Sequence, residues 1–146
     1  MQREPTIFLY HADIKPDPHE GFLVVFPDIP EALTHGETRE VALSNAREAL
    51  GLALRGVLVE GRLLPAAACR RGTPVAVEAA DALKLAVIQA FRSAGMTKTE
   101  LARRIGRSET EARRILDPDH GTKLQLLQQA LAALGKTVVI SIQEAA

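Results

Sequence analysis

The chain has 146 residues, of which 47% are hydrophobic and 25% are charged, so it can bury a core without disulfide staples. Its single cysteine, Cys69, excludes an internal disulfide and a cysteine-rich zinc site. The formal net charge is zero, but residues 1–80 carry eleven acidic and eight basic side chains, whereas residues 81–146 carry seven acidic and ten basic ones. This asymmetry indicates two halves with different partners.

The start of the chain does not resemble a targeting segment. The run MQREPTIFLYHADIKPD has an acidic residue and a proline where a signal peptide has a basic start and a long apolar stretch. No later segment approaches 18 uninterrupted apolar residues. We therefore expect a cytoplasmic protein.

The first half has the pattern of a small sheet covered by one helix. Residues 6–12 and 21–26 are rich in β-formers and predict two strands, and the prolines of residues 13–20 predict that the first strand stops before them. Leu33 and Thr34 are candidates for a short third strand before a turn at His35 and Gly36, and residues 74–77 for a fourth.

A helix is predicted over residues 39–58, with Thr38 as its N-cap and an apolar face at spacings of three and four. Residues 60–73 read as a connector. These elements predict an α+β unit over residues 1–78.

The second half, residues 79–146, has the helical period almost throughout. Gly95 should end a first helix, and two short helices follow with Gly106 between them. Thr97 with Glu100, and Ser108 with Glu111, fit the capping-box pattern that opens a helix. We expect an all-α domain here.

A last helix is predicted from Thr122 and Gln125, a third capping box, to Gly135. Residues 137–142 then alternate as a strand, with Val138, Ile140 and Ile142 on one side. A lone strand at the end of a helical unit has no partner within it. We expect these three residues to pair with the same strand of a second copy, giving a homodimer or a higher homo-oligomer.

The two short helices of residues 97–116 predict a helix-turn-helix, because a three-residue turn with glycine joins them. The stretch also resembles phage-repressor-like regulators, in which a TxxELAxxxGxS pattern precedes the recognition helix. Such a helix enters the major groove of operator DNA. The predicted DNA-binding residues are Arg107, Ser108, Glu109, Thr110, Arg113 and Arg114, with Arg107 on phosphate and Thr110, Arg113 and Arg114 on bases.

The sequence does not favour an enzyme. Carboxylates and histidines in the first half could suggest a metal-dependent nuclease, but most of them lie in a proline-rich loop and no carboxylate lies inside the apolar strands. They are His11, Asp13, Asp17, His19, Glu20, Asp28 and Glu48. His35 and His120 are expected to be turn and loop residues. We predict no catalytic residue, no metal site and no cofactor.

With both halves in view, the chain resembles the HicB family of antitoxins. The resemblance rests on the run EGFLVVFPDIPEALTHGETREVALSNAREAL and on LARRIG, RRILDPDHGT and ALAALGK. Glu31 and Ala32 depart from the pattern, because many members have a glycine and a cysteine or other residue there. The family implies an N-terminal domain similar to a partial ribonuclease-H fold, which covers a small basic HicA-like toxin that cleaves mRNA, and a C-terminal domain that represses the operon.

The resemblance also implies where the toxin would bind. The turn of residues 27–30 and the helix from Arg39 carry most of it, so the predicted toxin-binding residues are Pro27, Asp28, Pro30, Arg39, Glu40, Arg47 and Glu48. The alternative is a stand-alone helix-turn-helix repressor whose N-terminal domain senses a ligand or oligomerises. A small basic toxin encoded beside this gene would distinguish the two.

Overall fold

The computed structural model describes residues 4–145 and confirms the α+β class. An antiparallel sheet of four strands combines with five helices in the described part of the chain. In chain order the elements are β1 (Leu9–Pro16), β2 (Phe22–Val25), β3 (Thr34–Gly36), α1 (Arg39–Val59), β4 (Thr73–Ala76), α2 (Ala79–Ala94), α3 (Lys98–Ile105), α4 (Glu109–Ile115) and α5 (Leu124–Ala133).

The strands lie in the order β3-β2-β1-β4, and β1 is shared between two neighbours. Its first half pairs with β4, from Leu9 opposite Ala76 onward, and its second half pairs with β2, up to Pro16 opposite Phe22. The prediction that prolines stop this strand at residue 12 is therefore wrong. Pro16 is tolerated because β4 does not reach it, so its missing N–H removes no bond on that side.

The third strand is also longer than predicted. His35 and Gly36 belong to β3 and do not form a turn, since His35 pairs with Leu23 and Gly36 with Phe22. A side chain at Gly36 would collide with the backbone of Ala42, so the glycine lets α1 approach the edge of the sheet closely.

Helix α1 lies on one face of the sheet, as predicted. The Thr38 side chain accepts a hydrogen bond from the Val41 amide at 3.1 Å, which confirms the N-cap. The apolar stripe of the helix is buried against alternate residues of the strands, and together they form the first core. Its fully buried members include Ala12, Val24, Phe26, Ile29, Ala42, Ala46, Leu50 and Leu54.

The connector between α1 and β4 is irregular but fixed. The Tyr10 hydroxyl donates to the Pro65 carbonyl at 2.7 Å, and the Cys69 amide donates to the Asp28 carboxylate at 2.8 Å. Burial, with a smaller contribution from the charge of Asp28, raises the pKa of the Tyr10 phenol. These bonds hold residues 60–72 against the first core.

Helix α2 belongs to both halves of the molecule. Its Leu85 and Ile88 pack in the first core, whereas its Val87 and Ala90 pack in a second core with residues of α4 and α5. The division of the chain at residue 78 stays a prediction, but the N-terminal core is complete only when α2 is present.

The predicted glycine stops after α2 and α3 are confirmed. Gly95 and Gly106 have φ of 65° and 67°, the left-handed conformation that glycine adopts without strain. Ser108 and Glu111 form the complete capping box at the start of α4. At α3 only half of the box is present, because Thr97 accepts from the Glu100 amide while the Glu100 carboxylate contacts arginines.

The third predicted capping box is wrong. The N-cap of α5 is Lys123 and has no side-chain cap bond, because the Thr122 hydroxyl instead accepts a 2.6 Å hydrogen bond from Lys84.

The tail after α5 forms no strand in the single chain. Val138 packs against the second core, whereas Ile140 and Ile142 are 78% and 88% exposed. A strand needs a ladder partner, so the dimerising strand stays a prediction about a second copy. Separately, none of the described helices combines the length and apolar character that crossing a membrane requires.

Lys84 on α2 is the one buried charged residue among those described. Its ammonium donates to the carbonyls of Arg114 and Ile115 at 3.2 and 2.9 Å, at the C-terminal end of α4, and to Thr122. A cation at a helix C-terminus is favourable, since the last carbonyls carry partial negative charge. Burial nevertheless lowers the pKa of Lys84 to about 8, although the charge of Asp117 acts in the opposite direction.

Lys84 should therefore make stability depend on pH between about 8 and 10.5, the pKa in the folded chain and its ordinary value. In this window the unfolded chain binds more protons, so the free energy of unfolding should rise with pH by at most about 1.4 kcal/mol per unit. Urea unfolding of the wild type and of Lys84→Met should be measured across this pH window. The difference between their free energies of unfolding isolates the contribution of Lys84, because the titration of all other groups is common to both. A difference that stays constant with pH would contradict it.

Candidate nucleic-acid interface and partner surfaces

Helices α3 and α4 are joined by the three residues 106–108. Leu101 and Ala102 of α3 and Ala112 of α4 are buried, so each of the two helices turns an apolar side inward. The Thr99 hydroxyl also contacts the Glu109 carboxylate at 3.5 Å across the two helices. The pair is therefore a packed unit, with the first turn of α4 held close to α3.

The predicted DNA-binding residues are all exposed, on α4 and in the turn before it. Arg113 lies 3.4 Å from Glu109 one helical turn earlier, and Thr110 is exposed beside them. Arg107 precedes α4, in the turn that joins it to α3, and Arg114 lies in the last turn of α4. Arg114 follows Thr110 by one helical turn, so it stays next to Thr110 on α4 while its side chain also lines the space towards the start of α5.

A cleft of about 400 Å³ lies between α4 and the start of α5. We call it the α4–α5 cleft. It is lined by Arg107, Glu111, Arg114, His120, Lys123 and Gln125, together with Ile115, Gly121, Thr122, Leu126 and Gln129. Sequence reasoning included its two arginines but missed Lys123 and treated His120 as a loop residue. The signal that could have revealed it is the absence of an acidic residue in the first turn of α5.

The arginines of α3 are committed to contacts within the protein. Glu100 receives hydrogen bonds from Arg103 at 2.6 Å and from Arg104 at 2.9 Å, and these bonds lower the pKa of its carboxyl to about 2. Arg104 also donates to the Ala133 carbonyl of α5 at 3.3 Å. Both guanidinium groups therefore have partners within the chain.

The predicted toxin-binding residues do not form one patch. Arg39 and Glu40 lie at the N-terminal end of α1, where Arg39 contacts Thr73 at 3.4 Å. The turn that ends at Pro30 lies near the other end, because the next residue, Glu31, contacts Arg62 at 3.2 Å. A helix of 21 residues separates these ends by roughly 30 Å.

Arg47 and Glu48 lie on the exposed side of α1 between those ends, whereas Asp28 accepts the Cys69 amide and holds the connector. Asp28 therefore has a structural task that sequence reasoning did not anticipate.

The histidines and carboxylates of the N-terminal half are not arranged as a metal centre. Within residues 4–145 no group of three or more potential ligands was found at metal-binding geometry. His35 instead contacts the Glu20 carbonyl at 2.6 Å, and its ring lies 3.9 Å from the Asp17 carboxylate. These contacts join β3 to the hairpin between β1 and β2.

Comparisons with known proteins agree on one family. A family model described as the HicB_like antitoxin of bacterial toxin-antitoxin systems matches residues 9–86. Antitoxin HicB 1 of Photorhabdus laumondii is 35% identical over 92% of this chain and 86% of its own length. Antitoxin HicB of Escherichia coli is 36% identical over 87% and 94%, and that of Pseudomonas fluorescens is 30% identical over 98% and 99%.

Proposed function

The chain belongs to the HicB-like antitoxin family, and from this premise we propose that it neutralises a small mRNA-cleaving HicA-like toxin and represses its own operon. Members of the family are antitoxins, so the chain is a regulator and not an enzyme, and its partner is a toxin. The observation that supports separate toxin-binding and DNA-binding halves is the family match over residues 9–86, which spans the sheet, α1 and the first half of α2.

The C-terminal half supports the DNA-binding part of the proposal. Its α3 and α4 pack through a three-residue turn, and α4 exposes Thr110 and Arg113 away from the second core. Two cationic residues, Arg107 and Arg114, flank them. In this proposal α4 is a recognition helix that reads bases in the major groove of operator DNA.

Replacing Arg113 with alanine should reduce discrimination between the chain's own promoter region and random duplex DNA. A bidentate arginine–guanine contact contributes about 1 to 3 kcal/mol of discrimination. Arg107→Ala should instead weaken both complexes alike, because a phosphate contact carries no sequence information. Fluorescence anisotropy on both duplexes measures the ratio, with Arg70→Ala in the connector as a control. An unchanged ratio for Arg113→Ala would remove this residue from base recognition.

The tail supports a dimer that would set the spacing of two recognition helices. Val139, Ile140 and Ile142 are 83%, 78% and 88% exposed, and an apolar β-forming segment in water is poised to pair with another strand. Two-fold pairing would place two copies of α4 about one turn of DNA apart, roughly 34 Å.

Deleting residues 137–146 should convert the dimer to a monomer with little operator affinity. Sedimentation gives the assembly state, and anisotropy gives the affinity. A milder variant, Ile140→Asp, should have the same effect because it places a charge in the proposed strand pair. A truncated chain that sediments as an intact dimer would locate the interface elsewhere, such as on the N-terminal sheet.

The charge of the N-terminal half supports the toxin-binding part. Residues 1–80 have three more acidic than basic side chains, and a toxin that grips RNA must itself carry positive charge. An acidic surface would accelerate the encounter and compete with the RNA backbone.

A fragment of residues 1–95 should bind and silence the toxin without the DNA-binding helices. The fragment must keep α2, because Leu85 and Ile88 complete the first core. Co-expression with the adjacent toxin gene, followed by growth and mRNA integrity, tests silencing, and circular dichroism checks folding. Continued mRNA cleavage beside a folded fragment that does not co-purify with the toxin would favour the stand-alone repressor.

A further inference from the structure

The α4–α5 cleft concentrates positive charge that the contacts within the chain do not neutralise. Of the cationic residues that line it, Arg107 lies 3.9 Å from Glu111, which also accepts the Ser108 amide in the capping box. In the described part of the chain, no carboxylate lies within ion-pair distance of the Arg114 or Lys123 side chains. The cleft is thus lined by three cationic side chains and one carboxylate, and that carboxylate already contacts Arg107 and the Ser108 amide.

The other acids of the neighbouring loop are directed elsewhere. Asp117 accepts the Asp119 amide at 3.0 Å, and its charge acts on Lys84 behind the loop. Asp119 lines a separate, smaller cavity of about 120 Å³ with Arg55 and Asp81. The loop therefore does not supply the α4–α5 cleft with a second carboxylate, and the excess of cations attracts anions to the cleft.

Hydrogen bonds from Lys84 hold the two walls of the cleft in place. Lys84 donates to the carbonyls of Arg114 and Ile115 on one wall and to Thr122 on the other. These bonds come from the backbone side of α4, so they leave the Arg114 guanidinium free to turn into the cleft. A site whose cations are placed before the ligand arrives loses less entropy on binding.

We propose that the α4–α5 cleft binds one phosphodiester group of the DNA backbone, an inference that rests on the proposed DNA-binding function. Arg114 and Lys123 contact the phosphate, and Arg107 lies at the edge of the cleft. A volume of about 400 Å³ accommodates a phosphate with its attached sugars, since small-ligand sites begin at about 300 Å³. The N-terminal end of α5 adds partial positive charge on the same side. Arg114 then fixes the depth and angle of α4 in the groove, and base reading falls to Thr110 and Arg113.

The test measures how the affinity of the full chain for DNA depends on salt. Lys123→Ala and Arg114→Ala are compared with the wild type on the promoter region and on random duplex between 50 and 200 mM KCl. Each phosphate contact contributes about 0.9 to the slope of log K against log salt concentration. We expect each variant to lower the slope by about one, and both duplexes to lose affinity by the same factor. Lys136→Ala, an exposed lysine beyond α5, is the matched control and should leave the slope unchanged.

A second arm identifies the source of the phosphate. Inorganic phosphate is titrated into free wild-type chain while the amide resonances of residues 121–125 are followed by NMR, and again with Lys123→Ala. Shifts that saturate in the wild type and vanish in the variant support a built phosphate site. If the wild type binds no duplex but shows these shifts, the DNA-binding function fails, whereas the cleft stands as a site for a free phosphate group.

Two results would overturn the proposal while the DNA-binding function stands. The first is that the wild type binds DNA and the Lys123→Ala and Arg114→Ala variants show the same salt slope as the wild type. The second is an Arg114→Ala variant that loses affinity for the promoter region alone, because that pattern assigns Arg114 to base recognition.

Discussion

The arrangement of this molecule depends on two cationic side chains of α2 that bind the ends of other helices. Arg92 donates to the Leu58 carbonyl in the last turn of α1 at 2.8 Å, and Lys84 donates to the last carbonyls of α4. An ammonium buried without partners would cost several kcal/mol, so a movement of α4 away from Lys84 would destabilise the molecule. Helix α1 has no basic residue in its own last turn, so Arg92 supplies the charge its C-terminus lacks.

This dependence makes α2 a shared wall between the two cores. The side that carries Leu85 packs against α1 in the first core, and the side that carries Val87 packs against α4 and α5 in the second. Asp81 approaches so closely that a side chain at Gly51 of α1 would meet its carboxylate at 2.7 Å. The sheet with α1 and the pair α4–α5 therefore pack on opposite sides of one helix, and a displacement of α2 would disturb both cores.

Local chemistry could be predicted from the sequence, whereas contacts between distant residues could not. Thr38, Gly95, Gly106 and the Ser108 capping box depend on neighbours within a few positions, and all were predicted correctly. Thr122 was predicted wrongly because its hydroxyl binds Lys84, 38 positions earlier. The α4–α5 cleft was missed for the same reason, since its charge comes from two helices and a loop whose packing no local pattern specifies.

The shared pairing of β1 also constrains how the chain can fold during synthesis. The hairpin of β1 with β2 and the contacts of α1 can form early, but Leu9 must wait for Ala76, its partner in β4, to leave the ribosome. Closing so long a loop is slow compared with forming the local contacts of α3 and α4. Until then half of β1 is an unprotected edge, so the nascent chain is exposed to misfolding before α3, α4 and α5 have even been made.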